Sequence, residues 1–381
     1  MNTDDLRQPL KRRKLRERFA FLRPSALQSA TALSLIAAAG LTVWAVRNGD
    51  PMAGEPVVTV AVERTDPIIT SSVTPGSEEQ DEPFIDSQET LEPDQAEVEQ
   101  HEAAIVQPSR KRLAAAPIKA VSQKTSLGTL PKIAKNGKKP WLVYARPISN
   151  NLMASDSPKV AIVLGGMGLN RQLTDQAIKD LPGEITLAFA PYGKKLQRQV
   201  NKARQYGHEV MLQLPMEPFG YPAVDPGPKT LLIKDKADVT MKNLKWHMSR
   251  FSGYIGVVNY LGARFTSDGD GIGYVLRDIN KRGLVYLDDG SSKRSVVPSL
   301  GQVMNAPVLV NDMIIDSEVT YNAITAALAR LEQQAASDGF AIGFGSGLSL
   351  TMDALTSWSR DLRSRNIILV PVSAAYRPRQ S

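Results

Sequence analysis

The chain has 381 residues, enough for two ordinary domains; its 42% hydrophobic content is ordinary for a globular protein, while 27 glycines and 25 prolines point to linkers. The formal net charge of +7 gathers largely in one N-terminal cluster, and no stripe of arginines with aromatics accompanies it, so nucleic acid is not an expected partner. With no cysteine there is neither a disulfide framework nor a thiolate metal site, a composition that suits an exported bacterial protein.

Residues 7–23 carry eight basic side chains, and residues 27–46 (LQSATALSLIAAAGLTVWAV) carry no charge. At about 1.5 Å per residue this stretch spans roughly 30 Å, the thickness of a bilayer's hydrocarbon core. Trp44 suits an interfacial position, and the basic flank places the N-terminus in the cytoplasm by the positive-inside rule. The expected arrangement is a cytoplasmic basic tail (1–26), a single uncleaved membrane anchor (27–46) in the bacterial inner membrane, and everything beyond it in the periplasm. A cleaved signal peptide fits less well, because its apolar core runs to about 7–15 residues.

Between Glu78 and Glu102 stand eleven acidic residues and no basic one; between Arg110 and Lys139 stand nine basic residues and no acidic one. Such blocks hold too little apolar surface for a core. Residues 47–155 are therefore expected to form a disordered, Pro-rich charged linker, with Trp141–Tyr144 as a strap onto the domain that follows.

From 156 to 377 short apolar runs alternate with helical patterns: 160–166, 184–191, 209–215, 254–262, 283–289, 307–316, 340–347 and 366–374. Continuous Val/Ile/Leu runs separated by helices read as buried parallel strands in βα units. The expected fold is α/β, a distorted (β/α)7–8 barrel of mostly parallel strands, with an open doubly wound sheet as the other arrangement. Chemistry is expected at the carboxyl ends of the strands.

At those ends stand Gly165–Gly166, Gln213, Glu217, Asn259–Tyr260, Asp288–Asp289, Asn311–Asp312 and Phe344. His208 lies five residues before Gln213, roughly 16 Å away at about 3.3 Å per residue, at the opposite mouth. His247 falls within a helix, and both histidines read as structural. VLGGMGLNR lacks the third glycine of a dinucleotide fingerprint, since Arg171 stands there, and Ser346 lacks a nucleophile-elbow frame.

The ordered motifs VAIVLGGMGLN, TLAFAPYG, GHEVMLQLPMEP, GVVNYLGARFTSD, GLVYLDDGSS, NDMIIDS, AIGFGSG and IILVPVSA resemble the divergent polysaccharide deacetylase family, relatives of the NodB-type carbohydrate esterases. The resemblance covers about 160–375 and implies a distorted barrel holding a divalent metal. It also implies that the family's two acidic positions on the first strand are here Gly165 and Gly166. Three histidine positions would likewise be Gln213, Tyr260 and Phe344. Without those ligands no metal-bound water forms to attack an acetamide, so no metal and no cofactor are expected.

The surviving polar candidates are Glu217, Asn259, Arg264, Asp288, Asp289, Asp312 and Asp316. Arg264 is expected to brace one of the carboxylates, and Tyr192, Tyr221 and Tyr260 to offer stacking faces for a sugar. The reading that follows is a membrane-anchored periplasmic pseudoenzyme binding an envelope glycan or an envelope protein. An active cell-wall polysaccharide hydrolase using Asp288 and Asp312 as paired carboxylates is the alternative, and a scaffold without a ligand cleft is the third possibility.

Overall fold

The computed structural model describes residues 111–376. The expected basic tail, membrane anchor and acidic stretch of the linker lie outside them. Among the described residues no helix is long and apolar enough to cross a membrane.

The expected linker does not run to residue 155. Residues 111–155 contain a two-stranded antiparallel hairpin, β1 (Ser122–Thr125) and β2 (Gly128–Pro131), and two short helices, α1 (Pro140–Tyr144) and α2 (Asn150–Ala154). This segment is held by what it covers. Val121, Trp141 and Tyr144 are buried in one cluster with Val372 and Ala374, and Trp141 meets the Tyr376 ring edge-on at 5.1 Å. Its composition lacks a core of its own, but it lends five buried side chains to another, Ala116 and Ala134 joining those three.

The rest is a parallel α/β sheet. In chain order come β3 (Lys159–Met167), α3 (Arg171–Asp180), β4 (Thr186–Phe189), α4 (Leu196–Gln205), β5 (Val210–Met216), α5 (Ala237–Met248), β6 (Gly256–Leu261), α6 (Gly269–Lys281) and β7 (Val285–Asp288). They are followed by α7 (Val297–Val303), β8 (Val308–Val310), β9 (Met313–Ile314), α8 (Tyr321–Asp338), β10 (Phe340–Ser346), α9 (Ser349–Arg360) and β11 (Ile368–Val370). The hydrogen-bonded order is β8-β7-β6-β5-β4-β3-β10-β9, with β11 on the first half of β3 and β4 on its second half. The two ends of that path, β8 and β9, are one chain stretch interrupted only by Asn311 and Asp312. The sheet therefore curls round until its ends meet in the same segment.

Curling explains why the strands read as continuous apolar runs: both faces are covered. Ala161, Val163, Met211, Val258, Leu287 and Ile342 point inward to one cluster. Their alternates Val160, Ile162, Leu164, Leu212, Leu214 and Val257 pack outward against helix residues such as Ile178, Val200, Leu244, Leu276 and Leu328. Each such side chain, fully buried, contributes about 1.5–3 kcal/mol. The helix starts are fixed locally: the side chains of Asn170, Asp268 and Thr320 cap α3, α6 and α8, and Gly339 closes α8 at φ 79°.

His208 and His247 are structural, as their positions suggest. His208 is fully buried between the carbonyls of Ile185 (2.8 Å) and Ile178 (3.2 Å), at the amino end of β5. His247, on α5, meets the Lys229 carbonyl at 2.8 Å.

Candidate functional site: the carboxyl mouth of the sheet

The inward-facing positions at the carboxyl ends come together, and they fill the mouth with protein. Gly165 has no side chain, and two neighbours occupy the space one would take. A Cβ there would lie 2.8 Å from Gln213 Nε2 and 2.8 Å from Phe344 Cζ, closer than real Cβ contacts come. Gln213, buried on β5, reaches over β4 to accept a hydrogen bond from the Gly166 amide at 2.7 Å. Phe344 pairs in register with Val163 and packs against the inner cluster. Gly165, Gln213 and Phe344 thus form one packed unit. Gly166 sits beside it in the left-handed region (φ 77°), which suits glycine. Tyr260, in register with Pro215, is 44% exposed.

The polar candidates are also brought to this end, but most of their hydrogen-bonding capacity serves the loops. Glu217 Oε1 accepts from Arg264 Nη1 at 2.8 Å and Oε2 from the Ile233 amide at 2.7 Å. The Glu217 carbonyl receives the amides of Arg264 and Phe265. The expected Arg264 brace is therefore the Glu217 pair, and it staples the loop after β5 to the turn after β6. Asp312 Oδ2 accepts from the Ile342 amide at 2.7 Å, and Asp316 Oδ2 from the Ser346 amide at 2.6 Å and Thr351 Oγ1 at 3.0 Å. These bonds hold the curl closed at β10. Asp288 Oδ1 accepts from the Gly290 amide at 3.1 Å, and its Oδ2 is bonded by Ser295 Oγ. Asp288 and Asp312 therefore each hold backbone or hydroxyl donors in different places, and no hydrogen bond joins them.

One buried acceptor is left without a donor. Asn259 Oδ1 accepts from the Asp289 amide (3.0 Å), and Asn311 Nδ2 donates to the Asp289 carbonyl (2.9 Å). Asn311 Oδ1 is buried with no hydrogen-bond partner among the described residues. Burial pushes the Asp289 carboxyl above the usual aspartate range, while hydrogen bonds from Ser291 pull it back. Asn311 is thus tied to the backbone of Asp289 and keeps a buried acceptor without a donor from the described residues.

Of the expected aromatic platforms, Tyr192 does not serve as one at the mouth. Its hydroxyl donates to the Pro228 carbonyl at 2.8 Å, and its ring packs at 6.4 Å from Trp246 and 6.1 Å from His247. Tyr221 is partly buried, in the same loop region. The platform that sequence reasoning missed is Phe219, 56% exposed, with the Arg294 guanidinium 5.9 Å over its ring. Phe219 follows β5 and Arg294 follows β7, so the two loops meet on either side of β6, whose end carries Tyr260. Phe219 opens a Pro/Gly-rich loop, residues 219–228 (FGYPAVDPGP), and two aromatics two residues apart in such a loop were the available signal.

Comparison with known proteins gives a consistent result. A sequence family described as divergent polysaccharide deacetylase matches residues 162–376. The solved structure of an uncharacterized protein from Agrobacterium tumefaciens C58 is 44% identical, with a TM-score of 0.63 over 65% of this chain and 99% of that one. An uncharacterized protein of Haemophilus influenzae is 22% identical over 235 residues, 60% of this chain and 81% of that protein. The Escherichia coli protein YibQ is 23% identical over 198 residues, 51% of this chain and 61% of YibQ.

Proposed function

The chain belongs to the divergent polysaccharide deacetylase family, and we propose that its domain is a non-hydrolysing member that binds an envelope glycan at the carboxyl mouth of the sheet. The observation that carries this reading is the packed unit of Gly165, Gln213 and Phe344. The family resemblance implies a divalent metal at this place, and the residues present do not fit one. Two glycines and Phe344 offer no side-chain donor atom, the Gly165 carbonyl is taken by the Gly347 amide, and the Gln213 carbonyl oxygen is held by the Gly166 amide. Among the described residues no group of three or more His, Asp or Glu side chains is disposed to hold a metal ion. A carboxylate introduced at 165 would collide with both neighbours. Metal-assisted attack on an acetamide is therefore not assigned to this chain. The exposed Tyr260 and Phe219 rings, with the Arg294 guanidinium beside the latter, supply what sugar binding needs, apolar faces with a polar group at hand.

The test uses the purified full-length protein. It should contain no stoichiometric transition metal, unfold at the same temperature with and without chelator, and release no acetate from acetylated chito-oligosaccharides. It should bind isolated cell-wall polysaccharide, and Tyr260→Ala, a change at an exposed ring, should weaken that binding roughly tenfold with unfolding unchanged. One metal per chain together with acetate release would sink the reading. A reconstructed variant carrying G165D, G166D, Q213H, Y260H and F344H should acquire metal-dependent thermal stability, because the two side chains that block position 165 are exchanged together with it.

The domain is further proposed to sit in the periplasm, tethered by residues 27–46 to the inner membrane. The charge asymmetry around that segment supports this. A reporter active only outside the cytoplasm, fused after residue 60, should give signal, with the protein in the membrane fraction. Recovery as a shortened soluble protein would instead identify a cleaved signal peptide.

A further inference from the structure

A second site lies beside the mouth, formed by other residues. The loops after β3 and β4, with the first two turns of α3 and α4 that they lead into, form a cavity of about 720 Å³ lined, among the described residues, by five cations: Arg171, Lys194, Lys195, Arg198 and Lys202. Its volume is in the range of pockets that hold whole small molecules, about 300–1,000 Å³. Among the described residues the only acid lining it is Asp175, which pairs with Lys202 at 2.6 Å and lies 3.9 Å from Arg171. Lys194, Lys195 and Arg198 are exposed and have no acidic partner among the described residues. Three uncompensated cations at one cavity, at the positive end of α4, favour a ligand carrying more than one negative charge.

The floor of the cavity adds a second requirement. Gly168 and Gly193 cross so closely that a Cβ on Gly193 would lie 2.3 Å from the Gly168 carbonyl oxygen. Gly168 is fixed at φ 87° with its amide donating to Thr174 Oγ1 at 2.9 Å. Beside this crossing, Gln199 Oε1 is buried without a hydrogen-bond partner among the described residues. It is an acceptor and calls for a hydroxyl donor; hydrogen phosphate has a single hydroxyl and would have to turn it away from the cations, whereas a sugar phosphate keeps its phosphate for them and has several hydroxyls to donate. A carboxylate brings one charge; a phosphate monoester brings about 1.5–2 at neutral pH and three acceptor oxygens.

We propose that this cavity binds a phosphorylated sugar, with the phosphate held by Lys194, Lys195 and Arg198 and a hydroxyl donating to Gln199. Because none of these residues belongs to the barrel mouth, the site stands or falls separately from glycan binding there.

The probes are glucose 6-phosphate and glucosamine 6-phosphate, with glucose and inorganic phosphate as the comparison arms, titrated calorimetrically into the full-length protein. At least one of the sugar phosphates should bind saturably at one per chain, more tightly than inorganic phosphate, with no binding of glucose. The double variant Lys195→Ala/Arg198→Ala changes only exposed side chains, so it should fold normally and bind at least tenfold more weakly. Gln199→Met should bring the sugar phosphate down to the affinity of inorganic phosphate while leaving the latter unchanged. The proposal is overturned if neither sugar phosphate binds saturably, if inorganic phosphate binds as tightly as they do, or if the double variant retains full affinity.

Discussion

Replacing Arg204 by methionine should destabilise the domain by about 3–5 kcal/mol, a drop of roughly 10 °C in unfolding temperature, and release the segment beneath the sheet first. Arg204 on α4 is only 1% exposed, and its guanidinium is the knot between three pieces of chain. Nε donates to the Ala114 carbonyl at 2.7 Å; Nη1 donates to the carbonyls of Tyr144 at 2.9 Å and Gly253 at 3.2 Å. The guanidinium also lies 5.0 Å over the Tyr144 ring. Burial lowers its pKa to about 10, still far enough above neutrality for it to remain charged. Methionine keeps much of the apolar stem but leaves three inward-turned carbonyls without this donor. Limited proteolysis should then cut within 111–155 before the sheet is attacked. An unchanged unfolding temperature with that segment still protected would mean that its apolar contacts alone hold it.

That segment also marks where sequence reading failed. Its nine basic residues and isolated apolar side chains read as solvated tether, and periodicity could not reveal elements of only four or five residues. Its structure comes from partners distant in sequence. Beyond Arg204, the Arg146 amide donates at 2.7 Å to Glu209, a buried carboxyl that Ser373 also bonds, and the Arg146 guanidinium meets Glu184 at 2.5 Å. The strands were legible for the opposite reason. Burial on both faces makes runs such as 160–164 apolar at every position, and no partner needs to be known to see it. At the site, the strand-end addresses were legible, including the Arg264 brace, because parallel βα units place strand ends together. What each side chain does there was not. Asp288, Asp312 and Asp316 looked available for chemistry, yet their partners are the donors of Gly290, Ser295, Ile342, Ser346 and Thr351. Nor could a sequence show that Gln213 and Phe344 close over Gly165, since that contact joins three strands.

Acidification should weaken the fold through His247, and His247→Gln should remove that part of the sensitivity. The ring is buried on α5, with Nε2 against the Lys229 carbonyl at 2.8 Å and Nδ1 buried without a partner among the described residues. Nε2 thus carries the proton and donates, and Nδ1 is bare. Protonating Nδ1 would bury a cation with no acceptor, beside Lys229 and Arg250; burial above all lowers the pKa from 6.5 to about 4. A histidine depressed in the fold stabilises it fully above the unfolded value of 6.5, and that stability is lost as pH falls from there toward 4. The whole interval corresponds to about 3 kcal/mol. Fully buried His208, whose pKa burial also lowers, acts in the same direction. Glu209 and Asp289, raised by burial, act in the opposite direction, because the fold takes up their protons before the unfolded chain does. Comparing two proteins at two pH values cancels those shared contributions. Glutamine can still donate to the Lys229 carbonyl but does not titrate. Urea unfolding at pH 7.5 and 4.5 should therefore show the wild type losing about 2–3 kcal/mol more than His247→Gln between the two conditions. Equal losses would mean that His247 is solvated enough to titrate normally, and that the bare Nδ1 is not sealed from water.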